Sequence, residues 1–177
     1  MRYVAFLRAI NTGKRRIKMA DLRELYVDLG YRDAATYIAT GNVIFDAESR
    51  PDTSELESEF EKRFGFEAEV FLRDEVELAD VIERVPWDEE AGSRDVSFLE
   101  RVPDARSART LEMTAVPPEQ LSVSGAEVFS LREGPDVETV HKESTTMRIL
   151  DTKTTRRGIR TVEAISAKFL HHREDTK

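Results

Sequence analysis

Two short turn sequences divide the first 46 residues into segments of different hydrophobic period. Asn11-Thr12-Gly13 follows an apolar run from Tyr3 to Ile10, and Thr40-Gly41-Asn42 lies between two further ordered runs. Glycine reaches positive φ angles without steric cost and asparagine tolerates them, so both sequences are typical of turns. Between them, the apolar residues from Met19 to Leu29 recur at helical spacing. The segment therefore predicts a strand, a helix and a hairpin with a tight turn at Gly41-Asn42, in that order.

The same reasoning extends the pattern to residue 86. The predicted strands are Tyr3 to Ile10, Ala35 to Thr40, Asn42 to Asp46 and Ala68 to Leu72, and the predicted helices are 19–29, Ser54 to Phe64 and Asp74 to Arg84. Gly30 and Gly65 are placed to end the first two helices, and Thr53 or Ser54 is placed as the N-cap of the second. The first six elements give the order β-α-β-β-α-β, which is the ferredoxin-like arrangement.

A similar pattern begins again beyond the polar stretch at residues 87–93, which suits a linker. The second half predicts a strand from Asp95 to Glu100, a helix from Asp104 to Met113, hairpin strands Gln120 to Val123 and Glu127 to Arg132, and a last helix from Ile159 to Leu170. The chain is thus predicted to be an α+β protein of two ferredoxin-like subdomains in tandem. Their predicted limits are 1–86 and 94–177.

Composition and charge exclude several classes of function. The chain has no cysteine, which excludes disulfides, thiolate metal ligands and cysteine nucleophiles. No apolar run approaches the ~20 residues that span a bilayer, so we expect no membrane segment and a cytoplasmic location. The net charge of −8 argues against general nucleic-acid binding, which needs a basic face. The histidines, His141, His171 and His172, lack metal-ligand spacing, so no metal site is predicted.

Three segments carry a resemblance to a known bacterial family: Leu7 to Gly13, Ile17 to Arg23, and Thr36 to Phe45. In order, spacing and residue type they are similar to the family catalogued as domain of unknown function 1697. The resemblance implies an α+β protein of two ferredoxin-like subdomains whose biochemical role is not established. The family usually has serine at the position of Thr40, so a hydroxyl group is kept. Its C-terminal Thr-Arg-Asn-Trp-like segment corresponds here to Thr155-Arg156-Arg157-Gly158, and its Gly-Arg-Ser-Lys-Leu-like segment is not recognisable.

A candidate functional surface lies where the two turn sequences are predicted to meet. In a β-α-β-β-α-β sheet the first and third strands are antiparallel neighbours, so the end of the first lies beside the start of the third. Residues 14–18 add four cations near this point, and guanidinium, ammonium and turn amide groups are donors that bind anions. The predicted ligand-binding residues are Arg8, Asn11, Gly13, Lys14, Lys18, Thr40, Gly41 and Asn42.

Several functions stay open for this surface at the level of sequence. It is predicted first to bind a small anionic or nucleotide-like ligand, or an anionic partner. The alternatives are an enzyme that acts on a phosphorylated or carboxylated small molecule, and a homo-oligomeric structural module. A structural interpretation also stands, because a solvated basic loop and a hairpin turn require no ligand. The sequence identifies no catalytic residue, no cofactor and no oligomeric state, and Gly13-Lys14 lacks the remaining residues of a P-loop.

Overall fold

The structure is a computed structural model that describes residues 1–133 and 141–170. These residues form two compact units. Unit 1 consists of Met1–Ala79 with the described residues from Ile165 on, and unit 2 consists of the described part of Asp80–Ala164. Each unit contains one four-stranded sheet. The limits 1–86 and 94–177 stay a prediction about which stretches fold as separate subdomains.

Unit 1 begins with six elements in the order β-α-β-β-α-β. They are β1 (Arg2–Leu7), α1 (Met19–Asp28), β2 (Arg32–Thr36), β3 (Asn42–Asp46), α2 (Thr53–Phe64) and β4 (Val70–Asp74), and α3 (Glu75–Glu83) follows them. The sheet order is β2-β3-β1-β4. Strand β1 lies between β3 and β4 and is antiparallel to both. The predicted ferredoxin-like arrangement of this half is therefore confirmed.

Both faces of β1 are buried, which explains why its sequence is apolar at successive positions. Val4 and Phe6 lie on one face and Ala5 and Leu7 on the other, and all four are at most 1% exposed. The face that carries Leu7 packs in a core with helix residues Leu22, Leu25, Tyr26, Leu56 and Phe60. Full burial of one large apolar side chain contributes about 1.5–3 kcal/mol, so this core fixes the register of the strand.

Helix α2 shows how local side chains set the ends of an element. Asp52 is its N-cap, because Asp52 Oδ1 accepts a hydrogen bond from the Ser54 backbone N–H at 2.8 Å. The prediction that Thr53 or Ser54 caps this helix was wrong. Hydrogen bonds from Ser54 also lower the pKa of Asp52, which keeps the cap ionised beside the positive end of the helix. Gly65 ends the helix with a φ of 77°, as predicted.

Two loops of unit 1 are longer than the sequence predicts. Strand β1 ends at Leu7 rather than at Ile10, because Ala9 and Asn11 have φ angles of 56° and 55°, which a strand does not adopt. Strand β2 runs over Arg32–Thr36 instead of Ala35 to Thr40. Residues 37–41 therefore form a loop, and the prediction of a tight turn at Gly41-Asn42 was wrong.

Unit 2 repeats the topology of unit 1. Its elements are β5 (Ser93–Leu99), α4 (Ala105–Glu112), β6 (Gln120–Ser124), β7 (Glu127–Arg132), α5 (Glu143–Leu150) and β8 (Thr154–Gly158). The sheet order is β6-β7-β5-β8, and α6 (Ile159–Ile165) continues into a π-helical turn at Ser166–Leu170. Elements α5 and β8 were not predicted. Strand β8 has the sequence Thr-Thr-Arg-Arg-Gly, which contains no apolar residue and so no hydrophobic period.

Gly41 lies directly against the Ile10 side chain, and we predict that its replacement destabilises the protein. It has a φ of 79°, and a Cβ atom at this position would lie 2.5 Å from Ile10 Cδ1. Gly41→Ala strains the backbone and displaces a buried side chain, so we expect the free energy of unfolding to fall by roughly 1 kcal/mol or more in urea melts. Gly13→Ala is the matched control, because Gly13 has a φ of 57° with open space around it. Equal losses in the two variants would contradict a role for the Ile10 contact.

Candidate functional site

Two loops of unit 1 meet at the end of β1. The basic loop comprises residues 8–18, and the hairpin loop comprises residues 37–41. Phe6 pairs with Asn42 at the end of the β1–β3 ladder. Next to this pair, the Leu7 backbone N–H donates a hydrogen bond to the Gly41 carbonyl at 2.8 Å. The topology predicted that the end of β1 lies beside the start of β3, and this adjacency is confirmed.

The side chain of Asn11 links the basic loop to the hairpin loop. Asn11 Nδ2 donates a hydrogen bond to the Ala39 carbonyl at 3.1 Å. Asn11 Oδ1 accepts one from the Ile17 backbone N–H at 2.8 Å. The φ of 55° at Asn11 lies in the left-handed region, where asparagine is enriched among non-glycine residues. We refer to these two hydrogen bonds as the Asn11 clamp. They give the asparagine at this position a structural role that does not depend on a ligand.

Asn42 and Thr40 stabilise the hairpin loop from within. Asn42 is fully buried, and its Nδ2 atom donates to the Tyr37 carbonyl and to Thr40 Oγ1, both at 2.9 Å. Gly41 between them is also buried. Asn42 is one of the predicted ligand-binding residues, and in the structure its buried amide forms hydrogen bonds to polar groups of the loop. Thr40 itself is exposed at the rim.

Arg8 forms an ion pair with Glu69, the residue that directly precedes β4. Arg8 Nη1 lies 3.2 Å from Glu69 Oε2, and the Arg8 backbone N–H donates to the Glu69 carbonyl at 2.9 Å. Both side chains are partly buried, so the ion pair is screened less than a fully exposed one. Glu69 was not expected here, although it directly precedes β4, which pairs with β1. Arg8 thus positions the start of the basic loop.

The exposed part of the basic loop is strongly cationic. Lys14, Arg15, Arg16 and Lys18 are all exposed, and residues 9–20 contain no carboxylate. The Arg15 guanidinium lies over the Phe66 ring, with its Cζ atom 5.4 Å from the centroid, which is a cation–π contact. Within residues 1–133 and 141–170, the structure gives Lys14, Arg16 and Lys18 no ion-pair partner. Gly13 has a φ of 57° and lies in a turn in which the Arg15 backbone N–H donates a hydrogen bond to the Thr12 carbonyl at 3.0 Å.

Two side chains that the sequence did not indicate, Lys168 and Phe169, contact Tyr37 of the hairpin loop. The Tyr37 ring meets the Phe169 ring edge-on, with centroids 6.1 Å apart. Lys168 Nζ lies 5.7 Å from the Tyr37 centroid and 5.3 Å from the Phe169 centroid. Phe169 and Lys168 come from the π-helical turn, far from Tyr37 in sequence. No local pattern could have placed them there, because the contact depends on the tertiary fold of unit 1.

A groove of about 590 Å³ lies at the other end of the β1–β3 ladder. Its lining includes Tyr31, Arg32, Asp46, Arg50, Asp52 and Glu55. Arg50 is in ion pairs with Glu77 at 2.9 Å and with Asp74 at 3.7 Å. Burial and the nearby Glu55 carboxylate raise the pKa of Tyr31, so its hydroxyl stays protonated. Because carboxylates outnumber cations in the lining, the groove is a poorer anion site than the basic loop.

These observations define a class of protein: a tandem of two α+β units of ferredoxin-like topology with a basic loop at one end of the first sheet. A family model described as "Protein of unknown function (DUF1697)" matches residues 1–129, and the chain belongs to this family. The chain is also similar to the solved structure of a conserved bacterial protein from Streptococcus pneumoniae, with 22% identity and a TM-score of 0.73, over 94% of this chain and 96% of that chain. At this identity the likeness shows the fold alone. No curated protein matches the chain.

Two further findings concern only the residues that the structure describes. None of their helices is both long and apolar enough to cross a membrane. No three of their acidic or histidine side chains are grouped so that they could hold a metal ion. The predictions about His171 and His172 fall outside the described residues, whereas His141 lies buried in unit 2.

The Asn11 clamp generates a prediction that separates its hydrogen bonds from its backbone geometry. Asn11→Gly removes both hydrogen bonds but tolerates the positive φ, and Asn11→Ala removes the bonds and adds strain. We expect the Gly variant to lose about 1–3 kcal/mol of unfolding free energy, from two bonds of ~0.5–1.5 kcal/mol each, and the Ala variant to lose more. We also expect the Ile17 amide to lose protection from hydrogen exchange in both. Unchanged protection of Ile17 would show that the clamp does not order the loop.

Proposed function

We propose that the chain binds a small anionic ligand on the basic-loop surface, the exposed face that the basic loop forms beside the hairpin loop. The observation that carries this proposal is the set of adjacent exposed cations in a chain of net charge −8. Lys14, Arg16 and Lys18 find no ion-pair partner among the described residues. Like charges at this spacing repel one another, and a bound anion relieves that repulsion.

The Asn11 clamp supports binding because it orders the loop before a ligand arrives. One hydrogen bond joins Asn11 to Ile17 and closes the basic loop on itself. The other joins Asn11 to Ala39 and attaches the basic loop to the hairpin loop. A loop that is ordered in advance loses less conformational entropy on binding. Charge-assisted hydrogen bonds contribute about 1.5–3 kcal/mol each, so two or three give usable affinity. A single exposed lysine, screened by water and salt, does not.

The aromatic pair beside the hairpin loop favours a nucleotide-like ligand within this class. Tyr37 and Phe169 are both partly exposed, and Lys168 adds a further cation next to them. A planar base stacks on aromatic side chains with little dependence on its identity. A ligand whose phosphate contacts the basic loop and whose base contacts Tyr37 uses both parts of the surface.

The enzyme alternative requires a free acid or base beside the basic loop. Glu69, a carboxylate next to the start of this loop, is in an ion pair with Arg8. This geometry supports binding over catalysis.

The proposal also includes a cytoplasmic location, since a cysteine-free chain suits a reducing compartment.

The test compares ligand affinity in charge variants of the full chain. Inorganic phosphate and AMP are the probes, and thermal shift and calorimetry are the readouts. A ligand at about 100 times its dissociation constant adds about 2.7 kcal/mol of stability to the wild type. We expect the Lys14→Gln, Lys18→Gln double variant to bind AMP about tenfold or more weakly, which corresponds to roughly 1.4 kcal/mol. The matched control, Arg148→Gln with Arg160→Gln, removes two exposed cations from unit 2 and should bind as the wild type does.

Two outcomes of this comparison would contradict the proposal. If the lysine double variant and the wild type bind both probes equally, the basic loop is not the site. If the control variant loses as much affinity as the lysine variant, net charge rather than this surface is responsible. The nucleotide part is tested separately by Tyr37→Leu, which should weaken AMP binding and leave phosphate binding unchanged.

A further inference from the structure

Unit 2 contains a buried group of polar side chains that come from four different segments. Glu119 precedes β6, His141 precedes α5, Thr146 lies in α5 and Arg156 lies in β8. Glu119, His141 and Thr146 are 3%, 5% and 1% exposed, and Arg156 is partly buried. We call these four residues the unit 2 polar cluster. Such groups are unfavourable in a protein interior unless each of them has a partner.

His141 stands at the centre of the cluster. Its backbone N–H donates a hydrogen bond to Glu119 Oε1 at 3.4 Å, and its carbonyl accepts one from Arg156 Nη2 at 3.3 Å. Its ring Nε2 lies 2.6 Å from Thr146 Oγ1. Burial, with a smaller contribution from the Arg156 charge, lowers the pKa of His141, so the ring is neutral. Glu119 and Arg156 therefore lie on the two sides of one residue's backbone.

The charges of Glu119 and Arg156 are not balanced by the residues that the structure describes. Glu119 Oε2 is buried and has no hydrogen-bond partner. The other contact of the Arg156 guanidinium is the Ser97 hydroxyl, 3.5 Å from Nε. In the described ranges, Glu119 and Arg156 form an ion pair neither with each other nor with a third residue. One acceptor and one cation are thus left open in the same place.

Another arginine on the same face of this sheet does have a carboxylate partner. Arg156 pairs directly with Ser97 across β8 and β5, so both side chains lie on one face of the sheet. Further along that face Arg132 Nη2 binds Asp95 Oδ2 at 2.8 Å, so this second arginine has its carboxylate. In the other direction the face becomes apolar at Leu99, which packs in the core with α4 and α5. Arg156 thus stands between a satisfied ion pair and the core.

We propose that Glu119 and Arg156 bind a small zwitterion of the α-amino acid class. Arg156 takes the carboxylate, because a guanidinium matches a carboxylate with two parallel hydrogen bonds. Glu119 Oε2 accepts from the ammonium group, which is a donor only. The ammonium and carboxylate of an α-amino acid flank one carbon atom, as do the His141 N–H and carbonyl groups that Glu119 and Arg156 contact. Because Glu119 and Arg156 both contact the backbone of this one residue, their two charged groups lie close enough for one small ligand to reach both.

The proposal concerns a different unit and a different ligand from the basic-loop surface. The neutral His141 ring, hydrogen-bonded to Thr146, holds the central backbone in place without adding a third charge. The partial exposure of Arg156 gives the ligand carboxylate an approach from solvent. A ligand with one charge alone would satisfy only one of the two protein groups, so both ligand charges are required.

The experiment measures binding of the standard protein amino acids to the full chain by thermal shift and calorimetry. We expect at least one to raise the melting temperature. Two analogues of that amino acid are compared with it: the carboxylate that lacks the amino group, and the amine that lacks the carboxyl group. Each should bind about tenfold or more weakly than the intact amino acid. Glu119→Gln and Arg156→Gln should each reduce the affinity by a similar factor. Glu100→Gln and Arg160→Gln, which change exposed charges elsewhere in unit 2, should leave it unchanged.

A variant that fails to fold is replaced by a milder one. Arg156→Lys keeps the charge but loses the paired hydrogen bonds, and it should bind more weakly than the wild type while its circular dichroism spectrum stays the same. The proposal is overturned if no amino acid at millimolar concentration shifts the melting temperature of the wild type. It is also overturned if the carboxylate or the amine alone binds as tightly as the intact amino acid.

Discussion

The antiparallel pairing of β1 with β3 determines where every part of the basic-loop surface lies. Both strands are buried, and their ladder ends at the pair Phe6 and Asn42. The basic loop and the hairpin loop both start from this end of the ladder, so they lie next to each other. Asn11 Nδ2 can therefore donate a hydrogen bond to the Ala39 carbonyl. The close packing of Gly41 against Ile10 depends on the same register, because a shift by one residue would turn every side chain to the opposite face.

The polar residues of this surface divide into two groups with different roles. Asn11 and Asn42 use their amide groups to hold loops, and Arg8 is occupied by Glu69. The side chains of Lys14 and Lys18 are exposed instead, and their ammonium groups have no ion-pair partner among the described residues. The conspicuous motif in the sequence, Thr36 to Phe45, is therefore explained mainly by the architecture of the hairpin loop. The proposed binding function depends instead on the basic residues at positions 14–18, which form a less distinctive sequence.

The sequence predicted the strand order and the helices of unit 1 because the helices keep apolar residues at helical spacing, and β1 and β3 are apolar runs bounded by turn residues. It predicted the ends of elements less well, since Asp52 as a cap and the positive φ of Ala9 depend on local hydrogen bonds and sterics. Strand β8 escaped prediction because its residues are polar although most of them are buried. The adjacency of the two turn sequences followed from topology alone. The Tyr37–Phe169 pair and the unit 2 polar cluster did not, because both join segments distant in sequence.

The most direct test of the central claim is an NMR titration of the full chain with inorganic phosphate, following backbone amide shifts. The account predicts saturable changes concentrated at residues 12–18 and 39–41, which weaken as ionic strength rises. It predicts no change at residues 46–52, which line the groove at the other end of the ladder. Shift changes that are concentrated at the groove, or that spread evenly over the exposed cations of both units, would contradict the assignment of the basic loop as the anion site.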